Sequence, residues 1–312
     1  VTAPSAIVEL HHAFVEAGAQ VIETNTFGAT RVVLAEYGLE NEVARINAAA
    51  VANARQAIGG RPGVAVAGSI GPTTKLTSLG HIDRDELFAV YVEQIRALVE
   101  AGADLLIVET CQDLLQAKTA ALACFETMDK VGRHLPVIVA VTVERTGTML
   151  VGTDIAAACA AMAPFPLFAF GLNCATGPAD MMSHIRHLSH NWPGRVSCIP
   201  NQGLPEVVDG RTAYPLSPED YARQMRQFVE EYGVSVVGGC CGTTPEHTRR
   251  LVEELRGAVP GPRQLQPVPS VASLYQATEL RLDIPPLIVG EKTNANGSRK
   301  FRDRLLASDY AG

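Results

Sequence analysis

Positive charge is in deficit in this chain: 26 Lys and Arg stand against 33 Asp and Glu, a net of −7, with no basic cluster. That excludes the electrostatic footprint of a nucleic-acid partner or of an anionic membrane surface. Cysteine is too sparse for a disulfide scaffold. Seven are scattered over 312 residues, an odd number with no C-x-x-C pair among them, so the thiols are read as reduced, in a cytoplasm, and free to act as ligands or nucleophiles. No G-x-G-x-x-G follows any apolar run, which removes the dinucleotide fingerprint. The opening VTAPSAIVEL has no basic region leading into an apolar block, so no secretory signal is read there. One apolar stretch, from Ile155, is long enough to cross a bilayer, but Pro164 and Pro166 split it into a helix and a strand.

What is present is a 47% hydrophobic body large enough for one big core. Seven short β-rich runs recur: QVIETNT from Gln20, VAVAGSI from Val64, DLLIVET from Asp104, PVIVAVTV from Pro136, LFAFGLN from Leu167, RVSCIP from Arg195 and VSVVGG from Val234. Their near-continuous hydrophobicity is that of parallel strands covered on both faces. Between them lie helices with start and stop signals, such as Ser217-Pro218 closing at Gly233 and Thr244-Pro245 closing at Gly257. Strand and helix alternate over about 250 residues, which suits a (β/α)8 TIM barrel. The chain opens on a helix, PSAIVELHHAFVEAG, so the barrel's first strand is expected upstream of Val1 and missing from this sequence.

The expected domains are a barrel over 1–257, a proline-rich linker over 258–286, and the start of a second domain over 287–312. That last piece reads as one strand, a polar loop and the start of a helix.

Barrel chemistry sits at the C-terminal ends of the strands. Those ends read ETNTFG, GSIGPT, VETCQD, TVERTG, GLNCATGP, PNQGLP and GGCCGTTPEH. They carry three cysteines, Cys174 after one strand and Cys240 and Cys241 after the last, on loops that converge above the mouth. Three thiolates at one point suggest zinc with an open fourth position, the catalytic form of such a site. Gly238, Gly239 and Gly242 let the backbone bend so that both neighbouring thiols reach one metal. Two plainer readings stand beside this one. Cys174 taken alone reads first as a small buried hydrophobe, and the Cys240–Cys241 pair invites a vicinal disulfide, although neighbouring Cα atoms lie closer than disulfides usually require; the combination of the three carries the zinc reading.

The segments GLNCATGP, PNQGLP and GGCCGTTPEH, with TNTFGATR and GSIGPT before them, closely resemble the homocysteine S-methyltransferase family over essentially 1–257. The tail IVGEKTNANGSRKF is similar to the opening of the methyltetrahydrofolate-binding domain that follows this barrel in the cobalamin-dependent members. The resemblance implies a methyltransferase in which homocysteine sulfur becomes the fourth ligand beside Cys174, Cys240 and Cys241. The methyl would come from methylcobalamin on another domain and ultimately from methyltetrahydrofolate, and no protein nucleophile is used. Homocysteine, the methylcobalamin-bearing domain and the folate domain are then the partners, with zinc and cobalamin the cofactors. One departure is that nothing here matches the DGAMGT-like first strand of the family.

The resemblance makes Glu109 the candidate for the substrate ammonium; its plainer reading is an acid capping the next helix. Backbone N–H groups around Ser69, Ile70 and Gly71 are candidates for the carboxylate. Asn25 and Asn173 read equally as orienting groups and as loop braces. Asn201 is expected to offer its amide oxygen to zinc when substrate is absent. His184, His187 and His190 walk across a helix surface away from the strand ends and are read as a solvated face, and Asp83–Glu86 as a helix start. Two other functions remain in view: a free-standing homocysteine methyltransferase using betaine or S-methylmethionine, and an interaction module built on a closed structural zinc.

Overall fold

The structure is a computed structural model that describes residues 2–208, 210–281, 286 and 294–309. Its strands are β1 (Val21–Glu23), β2 (Ala65–Ile70), β3 (Leu105–Cys111), β4 (Val137–Val141), β5 (Ala169–Asn173), β6 (Arg195–Ile199), β7 (Glu206–Val208), β8 (Arg211–Ala213), β9 (Val236–Val237), β10 (Ser270–Ala272) and β11 (Ala277–Glu279). All seven runs read as strands are strands. They form one curled parallel sheet in the order β1-β2-β3-β4-β5-β6-β9. β4 and β5 are buried along their whole length, as strands covered on both faces must be.

Around the sheet stand α1 (Pro4–Glu16), α2 (Arg31–Leu34), α3 (Val43–Ile58), α4 (Arg84–Glu100), α5 (Leu114–Val131), α6 (Ile155–Met162), α7 (Pro178–Asn191), α8 (Pro218–Tyr232) and α9 (Pro245–Glu254). Leaving aside the short α2, the other eight pack each on the next, and α9 meets α1 again. A Cβ built on Gly18, just after α1, would lie 3.2 Å from Val252 of α9. Among the described residues the ring of helices therefore closes with eight members, while the sheet has seven strands and its edges β1 and β9 are not paired to each other. The fold is α/β, a curled TIM-type half-barrel, as the sequence implied.

The core has two layers. A large one between sheet and helices includes Ile22, Val66, Leu106, Val139, Phe170 and Val196. A small one inside the barrel holds Ala67, Leu105, Ile107, Ile138 and Ala169. These sets alternate along each strand, so position in the strand decides which side chains face the interior. The helix starts are set by short polar caps: Asp83 accepts from Asp85 and Glu86 N–H, Asp113 from Leu115 and Gln116, and Ser217 from Asp220. The acidic Asp83–Glu86 is thus a helix start, as expected.

Two short hairpins escaped the sequence reading. β7 and β8 pair antiparallel in the loop after β6, and β10 pairs with β11. Strands of three residues have too little periodicity to announce themselves.

The segment after the barrel is a strap rather than a free linker as far as Thr278. Gly261 N–H donates to Val229 O and Gln266 N–H to His190 O. The Arg263 guanidinium donates to Trp192 O and Gly194 O. Asp154 N–H donates to Tyr275 O, and the Thr153 hydroxyl to Leu274 O. The chain accordingly divides into two compact units, Val1–Thr278 and Glu279–Gly312. In the second, Ser298 caps α10 (Arg299–Leu306), the helix start expected there. The strand expected near the beginning of 287–312, ahead of the polar loop, falls outside the described residues.

Candidate metal centre

The three strand-end cysteines meet. Cys174 Sγ lies 3.8 Å from Cys241 Sγ, Cys240 Sγ lies 3.9 Å from Cys241 Sγ, and all three sulfurs fall within 4.8 Å of one another. A tetrahedral site with Zn–S bonds of ~2.3 Å places its sulfurs ~3.8 Å apart, so the donor set fits zinc in both chemistry and spacing. All three are free thiols, so the vicinal disulfide is not formed. Cys174 and Cys240 are half-buried and Cys241 is exposed, which leaves the cluster open at the mouth. Among the described residues no His, Asp, Glu or fourth Cys joins the group.

Backbone geometry delivers these sulfurs. Cys174 and Ala175 both hold left-handed φ values, 63° and 57°, a strain that persists only where the surroundings impose it. Gly242, at φ 81°, has Tyr214 so close that a Cβ would meet its ring at 2.5 Å; only glycine fits there. Cys174 is pulled down to about 6, chiefly by a hydrogen bond from Cys240 and further by Ala175 N–H, Cys241 and Asn201. Cys240 is pushed up by its hydrogen bond to Cys174 and by burial, and Cys241 by burial and the charge of Cys174.

Asn201 is buried beside the cluster. Its Oδ1 accepts from Cys241 N–H at 3.0 Å. That oxygen, the one expected to reach a metal, pins the Cys240–Cys241 turn.

The acid wall of the site comes from β2 and β3. Glu109 is buried, and the Ser69 hydroxyl donates to its Oε1 at 2.6 Å. Burial raises the carboxyl of Glu109, the Ser69 bond lowers it, and the Cys174 charge raises it. A β-bulge between Val108 and Cys111, with Thr110 at φ 57°, lets Glu109 face the barrel while Cys111 packs toward the helices. Asn173 clasps this bulge: its Oδ1 accepts from Thr110 N–H at 2.7 Å, and its Nδ2 donates to Thr110 Oγ1 at 2.8 Å. Of its two readings, the brace is the one seen.

Two of the three amides expected to form a carboxylate cradle in GSIGPT are engaged within the protein. Ser69 N–H already donates to Thr24 Oγ1 and Gly71 N–H to Phe27 O, while the Ile70 side chain packs in the helix-facing core. These amides hold the loops after β1 and β2 together, through a buried network of Thr24, Thr26 and Gln94. Asn25 is exposed on that loop. His184 and His187 are half-buried, their pKa values lowered by burial, and do not join the cysteines. The sequence reading missed Glu23, Thr110 and His247, which completes a capping box with Thr244. Glu23 alone left a visible trace, as an acid at an inward position of a strand.

A curled parallel α/β barrel with three cysteine sulfurs converging at its C-terminal mouth, spaced to suit a zinc ion, defines the class of fold and site. Comparison with known proteins makes this particular: the homocysteine S-methyltransferase family model matches residues 1–255, and the chain belongs to that family. The methionine synthases of Mycobacterium tuberculosis (strain ATCC 25618 / H37Rv) and Mycobacterium leprae (strain TN) are each 43% identical to it over 99% of its length. The chain spans 26% of each of these relatives. Among solved structures, the metallated homocysteine methyltransferase MmuM from Escherichia coli is 26% identical, with a TM-score of 0.65 over 80% of this chain and 85% of that one. Among the described residues, no helix is long and apolar enough to cross a membrane.

Proposed function

We propose that this chain is the homocysteine-activating part of a methionine synthase, in which the sulfur of homocysteine accepts a methyl group to give methionine. The observation that carries the reading is the Cys174–Cys240–Cys241 cluster, at tetrahedral zinc spacing and open at the barrel mouth beside a buried acid. A zinc ion held by these three sulfurs would supply Lewis-acid stabilisation of the substrate thiolate, making a nucleophile at neutral pH from a thiol whose ordinary pKa is ~8.5.

The chain's own residues do the rest. Glu109, held by Ser69, receives the ammonium, and the barrel wall around Ile107 and Ile138 keeps water from the buried end of the substrate. Asn201 holds the Cys240–Cys241 turn so that the sulfurs stay converged. Residues 1–257 are the homocysteine barrel, 258–286 the connection, and 287–312 the beginning of a methyltetrahydrofolate-binding domain. The methyl group is carried on cobalamin by a further domain, for which the greater length of the methionine synthases leaves room. A free-standing methyltransferase has less support, because the match to methionine synthases runs through the tail to 99% of the chain. The site of action is the cytoplasm.

Zinc-edge X-ray absorption with and without homocysteine tests the reading. The expected result is a gain of one sulfur in the zinc shell on adding substrate. A shell that stays unchanged means a closed structural zinc and refutes it.

A further inference from the structure

One carboxyl in the barrel interior is left unused by this chemistry. Along β1, Ile22 packs into the helix-facing core, so Glu23 next to it faces inward. Glu23 stands opposite Ala67 of β2, and Ala67 belongs to the interior cluster. Two residues further along β2, Ser69 faces the same way and donates to Glu109 of β3. Three adjacent strands thus carry Glu23, Ser69 and Glu109 on the inner wall, each stepped two residues further along its strand than the one before.

The two acids feel each other. Desolvation, with the charge of Glu109 second, pushes the Glu23 carboxyl up to about 8. No Lys or Arg acts on either group among the described residues. Two desolvated carboxyls without a cation are costly for a fold to keep. The arrangement is a receptor short of one positive charge. Glu109 in turn acts on Cys240 and is acted on by Cys174, so this acid lies within electrostatic reach of the cysteine cluster.

We infer that Glu23 and Glu109 together form a two-carboxylate cradle for the α-ammonium of an amino-acid thiol, with Glu23 the residue that makes the site reject thiols lacking that ammonium. This rests on the homocysteine reading above and extends it to selectivity. An ammonium suits the pair better than a metal ion: it brings three donors and one charge, where the cradle offers two carboxylates and no third ligand among the described residues. Glu109 is anchored by Ser69 and fixes one donor direction. Glu23, on the edge strand, supplies the second.

The test compares two ligands on the zinc-loaded protein by calorimetry: homocysteine, and 4-mercaptobutanoate, which keeps thiol and carboxylate but lacks the ammonium. Glu23→Gln is expected to weaken homocysteine by roughly 10- to 100-fold, the range of a charged hydrogen bond, while 4-mercaptobutanoate stays within about twofold and zinc content is unchanged. Glu23→Asp, which keeps the charge, should recover part of the loss. Equal weakening of both ligands means a structural role and overturns the inference, as does no change for homocysteine. A wild-type protein that binds neither thiol overturns the homocysteine reading itself, and this inference with it.

Discussion

Asn173 and Thr110 grip each other reciprocally, with the amide oxygen accepting the Thr110 N–H and the amide nitrogen donating to the Thr110 hydroxyl. The residue after Asn173 is Cys174, and the residue before Thr110 is Glu109. One buried clasp between β3 and β5 therefore fixes at once the proposed metal ligand and the proposed substrate acid. It also explains how three non-glycine residues, Thr110, Cys174 and Ala175, stay in left-handed conformations near one another.

Asn173→Ala removes both bonds and leaves the Thr110 N–H without its acceptor. The expected loss is about 2–4 kcal/mol of stability, two bonds plus an orphaned donor. Because Cys174 is released from its strained backbone, zinc should also be held more weakly. Denaturant melts and competition with a chelator check the two effects separately.

The cysteines divide by surroundings. Cys241→Ser should leave the barrel folded but drop zinc from about one per chain to a trace, with the proposed methyl transfer to homocysteine reduced ~100-fold. Cys198→Ser, in the core beside Met181, should cost stability and keep the zinc. Metal analysis of the two purified variants, with circular dichroism for folding, separates ligand from packing.

Much of this was legible before any coordinates. The strands announced themselves because parallel strands buried on both faces cannot hide polar residues, and the cysteines because strand ends are where a barrel keeps its chemistry. What stayed hidden depends on geometry that no residue pattern encodes. The bulge at Thr110 is visible only as a register shift between β3 and β4. The use of Ser69 and Gly71 amides within the protein depends on where the loop after β1 folds back. The strap from Gly261 to Tyr275 is held largely through backbone acceptors on the barrel, and backbone bonding has no side-chain period to read.

That strap yields a prediction. Arg263 is partly buried, with its pKa lowered by desolvation, and it satisfies two carbonyls before β6. Arg263→Ala should cost about 1–3 kcal/mol and expose 258–278 to protease. Limited trypsinolysis followed by mass spectrometry would show cleavage moving into this segment, while an unchanged pattern would mean that the neighbouring backbone bonds hold it unaided.

Inside the barrel, Gly171 tolerates nothing larger. A Cβ there would sit 1.8 Å from Ser197 O on the neighbouring strand, a backbone atom that cannot move without breaking the sheet. Gly171→Ala should lose about 3 kcal/mol or more. Gly60→Ala, at φ 76° with open space around it, should lose only about 1 kcal/mol, because strain in the backbone is its sole cost. Urea unfolding of both variants measures the contrast.

Glu23 sets stability against binding, and the sign follows from its titration. Its folded pKa of about 8 lies above the ordinary 4.5 because of burial and the facing Glu109. Between those values the folded state keeps a proton that the unfolded chain releases, so wild-type stability falls as pH rises through the window and levels off above it. Glu23→Gln carries no such proton. The variant should match wild type near pH 5 and exceed it by about 2 kcal/mol at pH 8, less than the full shift implies because water still reaches the group at the sheet edge. Thermal melts of the ligand-free protein at the two pH values check this. A variant less stable than wild type at both would mean that Glu23 already has a cationic partner. A variant more stable at pH 8 yet poorer at binding homocysteine would show the acid pair kept for its ligand at the expense of the fold.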